Sequence, residues 1–192
     1  MLLNVKKRKE FLQELGYSYT SKDIKRFQRR YFERSKDVDG KYGKNTDILL
    51  RHCYNVQMYA PHFKPEEFKC ECNGRYCTGY PTWMRKDMLI LLEGIRLHYG
   101  KPITITCGLR CKKYNAQLNG SIANSLHCKG RAVDFYQLGV TDTLPHRKRS
   151  IAWLKKQKNC SYIYGNGINI YGHNIVAPYM GNALHIDIGG AA

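Results

Sequence analysis

The sequence predicts an α+β protein in two parts, a small helical module over residues 1–57 and a larger mixed domain over residues 62–192. Three observations predict it. Apolar residues of the first part recur at three- and four-residue intervals, the signature of a helical face. A strongly apolar, helix-spaced run from Met88 to His98 is followed by the alternating, β-branched Pro102-Ile103-Thr104-Ile105-Thr106. Two more strand-like segments, Arg131 to Phe135 and Ala183 to Ile188, come later, so helices and strands do not alternate regularly as a parallel sheet would require.

In order along the chain, Leu12 and Leu15 and then Ile24, Phe27, Tyr31 and Phe32 mark one apolar face. Gly16-Tyr17 breaks it, and Ser21 ahead of Ile24 offers the start of a second helix. Asp37-Val38-Asp39-Gly40-Lys41-Tyr42-Gly43 reads as a tight turn, with Asn45 or Thr46 capping a third helix through Ile48, Leu49 and Leu50. Such a unit is too small for a deep pocket and reads as a binding module. The two prolines of Ala60-Pro61-His62-Phe63-Lys64-Pro65 resist helix and mark the link. Beyond it, Leu89, Leu91, Leu92 and Ile95 carry the apolar helix, and Tyr114-Asn115-Ala116-Gln117-Leu118 reads as a short one.

The charge balance is strongly basic, 32 Lys and Arg against 15 Asp and Glu. That field draws the protein toward polyanions, whether nucleic acid, anionic membrane or an acidic wall. No apolar run reaches the ~18 residues of a spanning helix, so membrane insertion is not expected. The opening residues Met1 to Lys9 lack the apolar core of a secretory signal. No basic helix motif or aromatic RNA-binding signature appears, which argues against a nucleic-acid partner.

One constellation carries chemistry. Ser125-Leu126-His127-Cys128-Lys129-Gly130-Arg131-Ala132-Val133-Asp134 holds a His and an Asp, and Leu184-His185-Ile186-Asp187 adds a second His. Two imidazoles and one carboxylate form the ligand set of an open zinc site, with the fourth tetrahedral position left to a water. Gly130 allows the turn that returns a loop His127 toward Asp134, and on a strand His185 and Asp187 share a face.

These residues resemble the zinc peptidase superfamily of D-Ala-D-Ala carboxypeptidases, L-alanyl-D-glutamate endopeptidases and the hedgehog fold. Ser125, His127, Gly130, Ala132 and Asp134 match its Ser-x-His-x-x-Gly-x-Ala-x-Asp pattern, and His185 its distal His. Thr106-Cys107-Gly108-Leu109-Arg110 resembles the segment whose Arg binds and polarises substrate. The resemblance implies a domain with an antiparallel sheet flanked by helices, a Zn²⁺ on His127, Asp134 and His185, and substrate contacts from Arg110 and Ser125. Several branches place an acid three residues before the distal His; here that position is Asn182, which cannot act as a base. Asp187 is the preferred substitute, with the orientation of a ligand imidazole as its other role; His173 is the second candidate base.

The first part resembles the three-helix peptidoglycan-binding domain found beside wall hydrolases, through Ile24-x-x-Phe27-Gln28, Asp39-Gly40-x-Tyr42-Gly43-x-x-Thr46 and Leu49 or Leu50. Together the two resemblances imply a monomeric endolysin of phage type. It would wait in the host cytoplasm without a signal peptide and then cleave an amide of the stem peptide, between L-Ala and D-Glu or near D-Ala. Peptidoglycan and anionic wall polymers would be its partners. A non-catalytic, zinc-stabilised wall-binding protein is the alternative.

Eight cysteines remain. Cys70-x-Cys72-x-x-x-x-Cys77 lies in a glycine-containing loop, and Cys111 follows Arg110. These four could hold a second, structural Zn²⁺, form two disulfides or stay free, and their spacing is not the usual pair of knuckles. Cys128 reads as a small packed hydrophobe.

Overall fold

The computed structural model describes residues 1–189, and among them it shows six α-helices and one five-stranded antiparallel sheet. The first part contributes α1 (Val5–Glu14), α2 (Ser21–Tyr31) and α3 (Lys44–Tyr59). Asn4 and Thr20 cap the first two, their side-chain oxygens accepting from the amides of Lys7 and Asp23. The second helix starts at Ser21 as expected, with the Thr20 hydroxyl just before it accepting from an orphan amide. Leu12, Phe27, Leu49, Leu50, Cys53 and Val56 are fully buried between the three helices. Each such aliphatic or aromatic side chain contributes about 1.5–3 kcal/mol.

The turn before α3 is held differently from the capping expected of Asn45 or Thr46. Gly43 occupies the cap with no side-chain bond. Thr46 is buried instead, accepting from the Gln28 amide at 2.9 Å. The same Gln28 nitrogen donates to Asp39 (2.9 Å) and to the Lys41 carbonyl (3.0 Å), while its oxygen accepts from the Gly40 amide (2.8 Å). Gly40 needs its positive φ of 75°, and a Cβ there would lie 2.7 Å from the Ser21 hydroxyl oxygen. The Gln, Asp-Gly and Thr of the resemblance motif therefore tie the turn to α2.

The segment after α3 is packed rather than loose. Ala60 and Phe63 are buried, and Pro65 opens a 3-10 turn, Pro65–Phe68. One continuous cluster of buried apolar side chains runs from Leu3 to Ile188. His52 of α3 crosses this seam, fully buried, with Nε2 3.0 Å from the Pro65 carbonyl and Nδ1 accepting from the Met84 amide at 3.4 Å. Burial pushes its pKa down to about 4.

Beyond the seam follow α4 (Lys86–Tyr99), β1 (Thr104–Cys107), α5 (Lys112–Asn115), β2 (Ala132–Tyr136), α6 (Leu144–Leu154), β3 (Tyr162–Gly165), β4 (Ile168–Asn169) and β5 (Leu184–Asp187). The helix at α4, the strands at β1, β2 and β5 and the short helix at α5 match the expected elements within a few residues. The sheet runs β1-β2-β5-β3-β4. Val133 and Phe135 of β2, Leu184 and Ile186 of β5 and Ile163 of β3 are fully buried on one face. Strand alternation then sends Asp134, His185, Asp187, Tyr162 and Tyr164 to the other. Antiparallel register sets Asp134 opposite His185, and His185 opposite Tyr164.

Candidate metal centre and active-site cleft

His127 comes from outside the sheet, on a 3-10 turn over Leu126–Lys129 that ends at Gly130. Gly130 has φ 65°, and a Cβ there would stand 2.1 Å from the Trp83 carbonyl oxygen. Only glycine fits, as the sequence motif requires. The His127 Nδ1–H donates to the Gly108 carbonyl at 2.8 Å, which leaves Nε2 facing the sheet. This is the usual arrangement for a ligand imidazole, with one nitrogen oriented by backbone and the other free to bind a metal.

Three donor atoms converge there. His185 Nδ1 lies 2.7 Å from Asp134 Oδ1, His127 Nε2 lies 3.4 Å from the same oxygen, and the two imidazole nitrogens are 3.4 Å apart. Ligands on a tetrahedral Zn²⁺ with bonds of ~2.0–2.1 Å sit about 3.3 Å from one another. The donor types and the two 3.4 Å separations fit zinc, the 2.7 Å His185–Asp134 contact being a hydrogen bond, and one side is open to the cleft. Burial would raise the Asp134 carboxyl, but hydrogen bonds from His127 and His185 outweigh it and hold the group well below the usual carboxylate range. At His185, burial pulls down, but its hydrogen bond with Asp134 and the nearby Asp187 carboxylate outweigh it and raise the imidazole overall.

Cys107, His127 and Asp134 also lie with their ligand atoms within 4.8 Å of one another, so a thiol stands beside the set. Burial pushes that thiol up to about 12, and its sulfur accepts from Arg110 Nε at 2.9 Å. His185 approaches Asp134 more closely and, as an imidazole, is the better-suited candidate for the third donor. Arg110 reaches the same carboxylate from the other side, its NH2 group 3.2 Å from Asp134 Oδ2. Asp134 thus presents one oxygen to the imidazoles and the other to the arginine.

These groups line a cleft of about 940 Å³. Ser125, Arg110, His127, Asp134, His185 and Asp187 all face it, as does Asn182. Asp187 lies beyond His185, its Oδ2 3.6 Å from Nε2, and is the lining carboxylate other than Asp134. His173 is not brought to the cleft: it is exposed in the turn after β4, where its amide donates to Asn169. Sequence reasoning did not single out Tyr164, whose ring stacks on His185 with centroids 4.7 Å apart. Burial raises its hydroxyl pKa, so it stays a proton donor. The signal was present in the alternation of Tyr162-Ile163-Tyr164, which marks a strand with both tyrosines on one face.

Two imidazoles and one carboxylate gathered on an antiparallel sheet, with an arginine at their edge, are the donor types of a zinc-dependent metallopeptidase site. A family model, Peptidase M15, matches residues 61–171, and the chain belongs to that family. The match ends before His185, so the distal donor rests on the sheet register and its 2.7 Å approach to Asp134. Comparison with curated proteins and with solved structures gave no match.

The four remaining sequence candidates also come together. Cys70, Cys72, Cys77 and Cys111 place their sulfurs within 4.8 Å of one another, and all eight cysteines are free thiols.

Proposed function

We propose that this M15 metallopeptidase hydrolyses an amide bond in the stem peptide of peptidoglycan, acting as an endopeptidase of endolysin type. The observation that carries the reading is the convergence of His127, Asp134 and His185 beside Arg110 on the wall of one open cleft. His127, Asp134 and His185 would hold a zinc ion, which would supply a Lewis acid and activate a water at neutral pH. Arg110, permanently charged, neutralises the oxygen of the scissile carbonyl as it gains charge. The protonated Tyr164 hydroxyl offers a second donor on the same side as His185. Asp187 takes the proton released by the attacking water, and its contact with Nε2 fixes the ring of His185.

Cleft size favours a substrate gripped on both sides of the cleaved bond. At about 940 Å³ it stands at the upper end of the ~300–1,000 Å³ range of small-molecule pockets, more than a terminal dipeptide needs. The flanking segments Leu118 to Ile122 and Pro178 to Ala183 extend the walls beyond the metal donors. The excess of 32 basic over 15 acidic residues supports attraction to anionic wall polymers, and the helical part would tether the enzyme there. Incubation of the full-length protein with purified sacculi, followed by mass spectrometry, tests the reading. New free amino groups inside the stem peptide, lost on chelation and restored by zinc, are expected. Tight wall binding with no new amino group would instead favour the non-catalytic reading, which Asn182 invites.

A further inference from the structure

We propose that Cys70, Cys72, Cys77 and Cys111 hold a second, structural zinc ion, which builds the loop that carries Arg110. The four sulfurs come from two separate stretches of chain yet lie mutually within 4.8 Å, with the Cys72 and Cys77 sulfurs 3.5 Å apart. A tetrahedral all-sulfur zinc site with bonds of ~2.3 Å sets its sulfurs about 3.8 Å apart. Two disulfides require only two pairs; here each sulfur faces the other three.

Backbone amides are directed at the sulfurs. The Cys111 amide donates to the Cys70 sulfur at 3.3 Å and the Tyr114 amide to the Cys111 sulfur at 3.4 Å. The amides of Cys72 and Gly79 point at Cys70 and Cys77. Amide donors of this kind stabilise negative sulfur, and a divalent ion with four thiolates carries a net double negative charge. Arg34, from the segment after α2, lies close enough to Cys72 and Cys77 for their charge to act on it.

The loop needs such a centre. Residues 71–79 form turns and bends only, with Asn73 and Gly74 in the left-handed region, yet Cys70 and Cys72 are buried. Little apolar packing accompanies them: Tyr76, Cys77 and Tyr114 complete the local cluster. In place of a core, an ion that binds the folded loop stabilises it directly. Cys111 adjoins Arg110, whose own amide donates to the His127 carbonyl. On the other flank, the Glu33 amide donates to Thr78 and Lys69 pairs with Glu33. A single ion would therefore fix the position of Arg110 and the contact of the helical part with the catalytic half.

Metal counting in the full-length Asp134→Ala protein tests this without reference to turnover, because the cleft centre is disabled there. One zinc per chain is expected, against two in the wild type and one in a Cys72→Ser/Cys77→Ser double variant. Cobalt loaded into Asp134→Ala should give the intense sulfur-to-cobalt charge-transfer absorption of a tetrahedral thiolate site. This reading needs no serine variant to fold. Recovery of the four cysteines as disulfides, absence of both metal and the charge-transfer band, or iron in place of zinc would each overturn the proposal. Failure of the sacculus assay leaves it standing, since the cysteine site does not depend on the substrate.

Discussion

Two kinds of buried polar group divide the molecule, and His52 and His127 show the difference. Both imidazoles are buried and both give one nitrogen to a backbone carbonyl. In the helical half, the second nitrogen of His52 is also used, by the Met84 amide. In the cleft, the second nitrogen of His127 faces His185 and Asp134, three potential metal donors gathered on one open wall. Gln28 belongs to the first kind, with its side-chain amide nitrogen and oxygen both bonded. A polar group whose partners are complete holds the fold, and one whose geometry still lacks a partner does chemistry.

The contrast can be broken most sharply at Asp134. Asp134→Ala should lower turnover about 10³-fold or more while the protein still folds, measured as amino-group release alongside bound zinc. Full activity with that ligand gone would remove the metal centre from the mechanism. Arg110→Ala should cost about 10²–10³-fold in kcat with zinc retained, the usual loss for one donor to a developing oxyanion. Arg110→Lys should recover only part of it, because an ammonium cannot span both Cys107 and Asp134.

His52 gives the opposite signature. Its folded pKa of about 4 lies below the ordinary 6.5, so the unfolded chain binds the extra proton first. The associated stability is fully present above pH 6.5 and is lost as pH falls toward 4, about 3 kcal/mol in all. Thermal melts of His52→Gln should show a flatter dependence over that window, and an unchanged slope would assign the acid sensitivity elsewhere. Asp187→Asn should reduce turnover about 10–100-fold with zinc content nearly unchanged. Retained full turnover would confine Asp187 to orienting His185. The smallest effect belongs to Gln28→Ala, a loss of about 1–2 kcal/mol in denaturant melts with normal activity per folded molecule on a soluble peptide.

Local chemistry was readable from the chain and long-range pairing was not. The His127 to Asp134 segment declares itself because its glycine, its ligands and its strand lie within a few residues. The alternation of Leu184 to Asp187 likewise gives both the core face and the cleft face of β5. Helix α6 escaped because its basic residues dilute the apolar spacing: His146, Arg147, Lys148 and Arg149 fill its first turns. Arg147 is nonetheless buried, donating to the Thr141 carbonyl at 2.8 Å. Tyr164 gained meaning only when β3 paired with β5, whereas the four cysteines were grouped from their spacing and the fold brings their sulfurs together. The Gln28 network shows what such a motif does locally. Its residues carried the resemblance of the helical part, and their side chains are bonded inside the turn.

The register of β5 makes folding and catalysis inseparable. Sliding that strand by one position would turn His185 and Asp187 into the apolar interior and bring Leu184 and Ile186 out beneath the substrate. Both greasy contacts and reactive groups would be forfeited in a single misalignment, so a slipped sheet has no means to persist as a stable but inert impostor.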